Sequence, residues 1–169
     1  MTTNFFDPNL LSGKTIVITG AGRGIGLEVA NLMAKCGAKI IAHSGRLGTA
    51  KNLSGISSSV FEADFSDPNS INQFIEFVQA ETSLIDVLIN NAGTMLGRFP
   101  ADELTTDQYQ QLVSLNQTSV VQITSALIPW LRQSQNASII NTVSISATTG
   151  GSPGSSIYSA SKAFVSTYT

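Results

Sequence analysis

The stretch Thr15-Ile-Val-Ile-Thr-Gly-Ala-Gly-Arg-Gly-Ile-Gly26 decides the fold. It opens as a short apolar, β-branched run, the composition of a parallel strand buried on both faces. It continues, over Thr19–Gly26, as a glycine-rich turn leading into a helix. Gly20, Gly22, Gly24 and Gly26 let the backbone turn tightly. The amides around Arg23 and Ile25 at the helix start then face an anion, for which a nucleotide pyrophosphate is the expected guest. A glycine-rich loop can be no more than a turn, but its position between a buried strand and an amphipathic helix argues for binding. A P-loop is excluded, because no Gly-Lys-Ser/Thr ending is present.

Outward from this stretch the strand-then-helix pattern repeats. Ile25, Val29, Leu32, Met33 and Cys36 stand at helical spacing, and Gly37 closes that helix where a glycine cap belongs. A second strand is predicted over Lys39–His43, a short helix near Thr49–Leu53 and a third strand over Val60–Ala63. Asp67-Pro68 reads as an N-cap followed by a proline at the first helical position. The helix it opens, Ser70–Glu81, carries Ile71, Phe74, Ile75 and Val78 on one face. A fourth strand follows over Asp86–Ile89. Thr105 with Gln108 forms a capping box that starts a long helix toward Leu131, which Pro129 kinks or ends. Ser138–Val143 is the fifth strand, and Ser155 or Ser156 begins a last helix. With no repeat and no linker, residues 1–169 are one domain of α/β class. Its expected form is a Rossmann-type, doubly wound parallel sheet flanked by helices, with ligands outside the carboxyl ends of the strands.

Composition narrows the partners. The net charge is −2 and no Lys/Arg run occurs, so nothing marks a nucleic-acid or anionic membrane surface, and a small-molecule partner is expected. Charged residues are only 12% of the chain against 42% hydrophobic, which suits a buried parallel sheet and oligomer contact. Cys36 is the only cysteine and His43 the only histidine, so one chain can build neither a disulfide nor a Cys/His or two-histidine metal site. Met1–Pro8 has no basic segment leading into an apolar one, and no apolar run approaches membrane-spanning length. A cytoplasmic protein is expected.

Near the other end, Tyr158-Ser-Ala-Ser-Lys162 puts a phenol and an ammonium one helical turn apart on a shared face. A cation near a phenol favours the phenolate, so the pair makes a proton donor and acceptor. The spacing alone is common on helices that catalyse nothing. Its company is more specific. Thr19-Gly-x-x-x-Gly-x-Gly26, Asn90-Asn-Ala-Gly93, a serine after the fifth strand and Tyr158-x-x-x-Lys162 occur in this order over almost the whole chain. Together they resemble the short-chain dehydrogenase/reductase family.

The resemblance implies an oxidoreductase that moves a hydride between a nicotinamide dinucleotide and a carbonyl or alcohol substrate. Tyr158 would exchange the proton. Lys162 would raise its acidity and, with Tyr158, contact the nicotinamide ribose. Ser144 would hold the substrate oxygen, with Ser146 as the alternative, since the spacing from Ser144 to Tyr158 is one residue longer than is usual in the family. Asn116 lies within the long predicted helix, where Asn competes for backbone hydrogen bonds. In the family such an Asn disturbs the helix and holds a water leading to the lysine. Asp64 would bond the adenine amino group with Phe65 beside the ring, unless Asp64 is only a loop carboxylate. Asn91, Ala92 and Gly93 would line the adenosine ribose. At the end of the second strand, where a carboxylate would repel a 2′-phosphate, the chain has His43-Ser44-Gly45-Arg46. With Ser44, Arg46 and Arg23 there instead, NADP(H) is favoured over NAD(H), although either arginine could simply be solvated.

The family continues beyond the fifth strand, whereas this chain stops at Thr169 with no glycine, proline or cationic last turn. A C-terminally incomplete domain lacking the family's last strands is expected, with the fifth strand as an apolar edge. A homo-oligomer is expected of the full-length form. The alternative is a catalytically inactive nucleotide-binding or interaction fragment. A methyltransferase on a similar sheet would leave the Tyr, Lys, Ser and Asn coincidence unexplained. A serine hydrolase fails for want of a nucleophile elbow and of a histidine outside the cofactor half.

Overall fold

The computed structural model describes residues 6–169; Met1–Phe5, part of the N-terminal stretch read above for a leader, lie outside the described residues. The elements run β1 (Thr15–Ile18), α1 (Gly24–Lys35), β2 (Lys39–Ser44), a 3₁₀ turn (Ala50–Leu53), β3 (Ser59–Glu62) and α2 (Pro68–Glu81). They continue with β4 (Val87–Asn90), α3 (Thr106–Val113), a π-helical turn (Ser114–Thr118), α4 (Ser119–Leu131), β5 (Ser138–Asn141), α5 (Ser146–Thr149) and α6 (Ser156–Tyr168). All strand pairs are parallel, in the order β3-β2-β1-β4-β5. The order reverses between β1 and β4. That is the switch point of a doubly wound sheet, where the crevice for a ligand opens.

Strand alternation divides the core into two layers. Val17, Ile41 and Leu88 point to one face and meet Ile71, Phe74 and Val78 of α2 and Ile123 and Leu127 of α4. Ile16, Ile18, Ile40 and Ile89 point to the other and meet Ala30 of α1 and Leu53. The four apolar side chains expected on α2 are all buried. Each is worth roughly 1.5–3 kcal/mol relative to exposure. Both predicted caps form: Asn69 N donates to Asp67 Oδ1 at 3.0 Å, and Thr105 and Gln108 bond reciprocally at 3.2 and 3.0 Å.

Three features depart from expectation. Ile25 is 69% exposed and Leu32 46%, whereas Val29, Met33 and Cys36 turn inward as expected, beside Gly26 and Ala30. A side chain as bulky as Ile cannot sit where the helix start approaches the loop, and a glycine takes that place. The long helix, by contrast, is disturbed where Asn116 predicts: α3 and α4 are joined by the π turn around that residue. Pro129 is accommodated within α4, which ends two residues later at Leu131. The fifth strand stops at Asn141, and α5, which no periodicity announced, follows it. As expected, β5 is an edge, with Ile139 40% and Ile140 47% exposed. Among the described residues no helix is long and apolar enough to cross a membrane.

Candidate active site

A cavity of about 650 Å³ opens at the switch point, within the range of small-molecule sites. It runs from the glycine loop, past Asn91–Gly93, to Ser144, Tyr158 and Lys162.

At the glycine end the wall is mostly backbone. Arg23 occupies the N-cap of α1 without any side-chain capping bond, so the first amides of the helix face the cavity without an intrahelical partner. Gly20 has φ +67°, and a Cβ there would stand 2.8 Å from Ala92 Cα. A Cβ on Gly26 would stand 2.3 Å from Gly20 O, and one on Gly22 would stand 2.3 Å from Ser44 Oγ. Only glycine permits these approaches. A loop of this shape at an uncapped helix start fits the phosphates of a dinucleotide.

Buried side chains hold the loop from behind. Asn91 donates through Nδ2 to Thr19 O and Gly20 O, both at 3.1 Å, and Thr19 Oγ1 accepts from Asn91 N and Ala92 N, both at 3.0 Å. Gly20 N donates to His43 Nδ1 at 3.1 Å, which places the imidazole proton on Nε2, 2.8 Å from Ala63 O. His43 is 1% exposed and stacks on Phe65 at 3.7 Å between ring centroids. Burial drives its pKa down to about 4, against the opposing pull of the Ala63 carbonyl and the Asp64 charge, so the ring is neutral at pH 7.

The residues expected around the adenosine separate into two groups. Arg23, Arg46, Asp64 and Phe65 line the cavity, and both arginines are exposed. Asp64 also serves its own loop, accepting from Ser66 N at 2.9 Å. Ser44 corrects the expectation. It is fully buried, its hydroxyl meets Thr49 Oγ1 at 2.6 Å, and it is absent from the cavity wall, where Thr49 stands in its place. The last side chain of β2 points inward, under Gly22.

At the far end the wall is made of side chains. Lys162 is 4% exposed; its Nζ donates to Thr142 O at 2.8 Å, and burial lowers its pKa. Gly93 leaves room for this ammonium, since a Cβ there would come within 2.9 Å of Nζ. Tyr158, half-buried, lines the cavity from the same helix. Ser144 Oγ accepts from Ser146 N at 3.2 Å and Ser146 Oγ at 2.9 Å. Ser144 lines the cavity and Ser146 is buried behind it. Asn116, fully buried in the π turn, accepts from Thr94 N at 2.9 Å and donates to Thr94 O at 2.8 Å. The helix is disturbed where Asn predicts it, and the same side chain ties that turn to the loop after β4.

Sequence reasoning missed Thr19, His43, Thr49, Thr94 and Thr142 as parts of this site. Thr142 acts through its carbonyl, which no side-chain motif can announce. Thr94 likewise acts through its backbone, Thr49 bonds the nearby Arg46 carbonyl and Ser44 hydroxyl, and only Thr19 and His43 support backbone at long sequence separation.

A family profile described as short chain dehydrogenase matches residues 14–169. An uncharacterized oxidoreductase of Staphylococcus saprophyticus is 33% identical over 91% of this chain and 63% of its own length. An NADP-dependent 3-hydroxy acid dehydrogenase of Escherichia coli is 31% identical over 89% of this chain and 61% of its own. The chain thus spans less than two thirds of either protein. Among solved structures, an NADH-dependent reductase complexed with NAD superimposes with a TM-score of 0.84 and 32% identity, covering 94% of this chain and 70% of that one. In sequence from Lys14 onward and in fold, the chain belongs to the short-chain dehydrogenase family.

Proposed function

We propose that the protein is an oxidoreductase that uses NADP(H) to interconvert a carbonyl and an alcohol. One observation carries this reading: a single cavity has an anion-receiving glycine loop at one end and Ser144, Tyr158 and Lys162 at the other. The dinucleotide, when bound, supplies or accepts the hydride. Gly20, Gly22, Gly24 and Gly26, with Ile25, would hold its phosphates, and Asn91–Gly93 its adenosine ribose. Tyr158 gives its proton to the substrate oxygen in the reducing direction, while the Ser144 hydroxyl holds that oxygen in place. Lys162, one turn along the same helix, is buried at the same end of the cavity, within reach of the nicotinamide ribose hydroxyls in this reading. Asn116 keeps the π turn and the loop at Thr94 in register, leaving a route for proton resupply through water.

The preference for NADP(H) rests on Arg23 and Arg46, which line the adenosine end with no carboxylate partner among the described residues. The relatives divide on this point, one being NADP-dependent and one a structure with NAD. A cytoplasmic location and self-association complete the reading. A second reading is a nucleotide-binding module without turnover. Titrating NADPH by fluorescence and following carbonyl-dependent NADPH oxidation separates the two. Binding with turnover is expected; binding without turnover supports the module, and no binding of either dinucleotide defeats both.

A further inference from the structure

Glu62 ends β3 beside Ser44, the last residue of β2, and so stands at the mouth of the loop that carries Arg46. A carboxylate at this end of the sheet would ordinarily repel a 2′-phosphate. Here both of its oxygens are engaged by backbone. Oε1 accepts from Gly48 N at 3.0 Å and Oε2 from Ala50 N at 2.8 Å, so the carboxylate caps the 3₁₀ turn from a neighbouring strand. Between those two amides lies Thr49. Its N–H and its hydroxyl both donate to Arg46 O, at 3.0 and 2.6 Å, and its oxygen meets Ser44 Oγ at 2.6 Å. Asn52 Nδ2 donates to Gly22 O at 2.9 Å, joining the same turn to the glycine loop.

These bonds form one chain from Glu62 through residues 48–50 to Arg46 on one side and to Gly22, next to Arg23, on the other. Without the carboxylate, Gly48 and Ala50 would lose their acceptors. Gly48, with φ +78°, would then be free to leave the left-handed conformation that closes the turn. Resting on the NADP(H) reading above, we propose that Glu62 is a positioning residue for cofactor choice: it holds the loop 46–50 so that Arg46 faces the 2′-phosphate, with both of its own oxygens taken up by the two amides.

The experiment measures Kd for NADPH and NADH on the whole chain and on Glu62→Ala, Glu62→Gln, Arg46→Ala and the double variant Glu62→Ala/Arg46→Ala. The wild type is expected to prefer NADPH. Glu62→Ala should reduce that preference by about fivefold or more, the order of one charge-assisted contact, and leave NADH affinity within about twofold. Glu62→Gln, which keeps one acceptor oxygen, should fall between. In the Arg46→Ala background the Glu62 substitution should change the ratio no further. A wild type without NADPH preference defeats the cofactor reading and this proposal with it. A wild type that prefers NADPH, with a ratio unmoved by Glu62→Ala or moved equally in the Arg46→Ala background, defeats the proposal alone. A general loss of folding would weaken both dinucleotides together and leave the ratio in place, which also counts against it.

Discussion

At the glycine-loop end of the cavity the ligand-facing surface is mostly backbone, with Arg23, Arg46 and Asp64 beside it, and the side chains that hold it are fully engaged: His43 on Gly20 and Ala63, Asn91 on Thr19 and Gly20. At the β4–β5 end the surface is side chain, with Ser144 lining the cavity from the loop after β5 and Tyr158 from α6. The sheet beneath differs in the same sense. Ile41 in β2 has no exposure, whereas Ile140 in β5 is 47% exposed. A phosphate-binding loop needs amides held rigidly by burial, while proton transfer needs a few side chains whose reactive atoms stay open. The first half should therefore fail through folding and binding, and the second through chemistry.

The largest effect that could break this contrast is at Tyr158. Tyr158→Phe is expected to lower kcat by about 10²–10⁴-fold while leaving the Kd for NADPH within about twofold. Parallel loss of binding and turnover would mean that the two ends are not separable in this way. In the buried half, Ile41→Ala should lower the free energy of unfolding by about 2–5 kcal/mol, read from urea denaturation.

The pH dependence of stability tests the same half. The folded pKa of His43, about 4, lies below its ordinary value of 6.5, so the unfolded chain takes up the proton first as pH falls. The contribution of His43 is therefore complete above about pH 6.5, is lost between there and pH 4, and totals on the order of 3 kcal/mol. Glu62 is held below its ordinary range by the Gly48 and Ala50 amides. For Asp86, burial pulls its pKa upward, but bonds from Thr15, Ser134 and Lys14 outweigh it and keep the carboxylate below its ordinary range. Both shifts are downward, so their stabilisation is present at neutral pH and is lost only in acid. Denaturation midpoints measured from pH 7.5 to 4.5 should fall in the wild type and flatten in His43→Gln; an unchanged slope in the variant would assign the effect to other groups. The smallest effect is expected at the edge, where Ile140→Ala should cost less than about 1 kcal/mol, because its side chain leaves little buried area behind. A loss equal to that of Ile41→Ala would erase the comparison.

Much of the fold was legible because its signals are local. β-branched runs, the Asp67-Pro68 cap and the Thr105–Gln108 box each act within a few residues, and apart from α5 and the break in the long helix the elements appeared within about one or two residues of their expected places. Ile25 and Ser44 were misread for a common reason. Both have the right type and spacing, but which way each faces depends on a partner far along the chain: Gly20 and Asn91 against Gly26, and Thr49 and Gly22 against Ser44.

The sequence by itself determined the parallel sheet, the glycine turn at its switch point, the Tyr158–Lys162 pair and the disturbance of the helix at Asn116, since each follows from residue types at short spacing. Only the tertiary structure decided that Ser144 rather than Ser146 faces the cavity, that His43 props up Gly20, that Thr142 lends Lys162 its carbonyl, and that Glu62 holds the loop of Arg46. Those choices are made by atoms brought together across separate strands, where burial obliges every polar group to find a partner that linear spacing does not reveal.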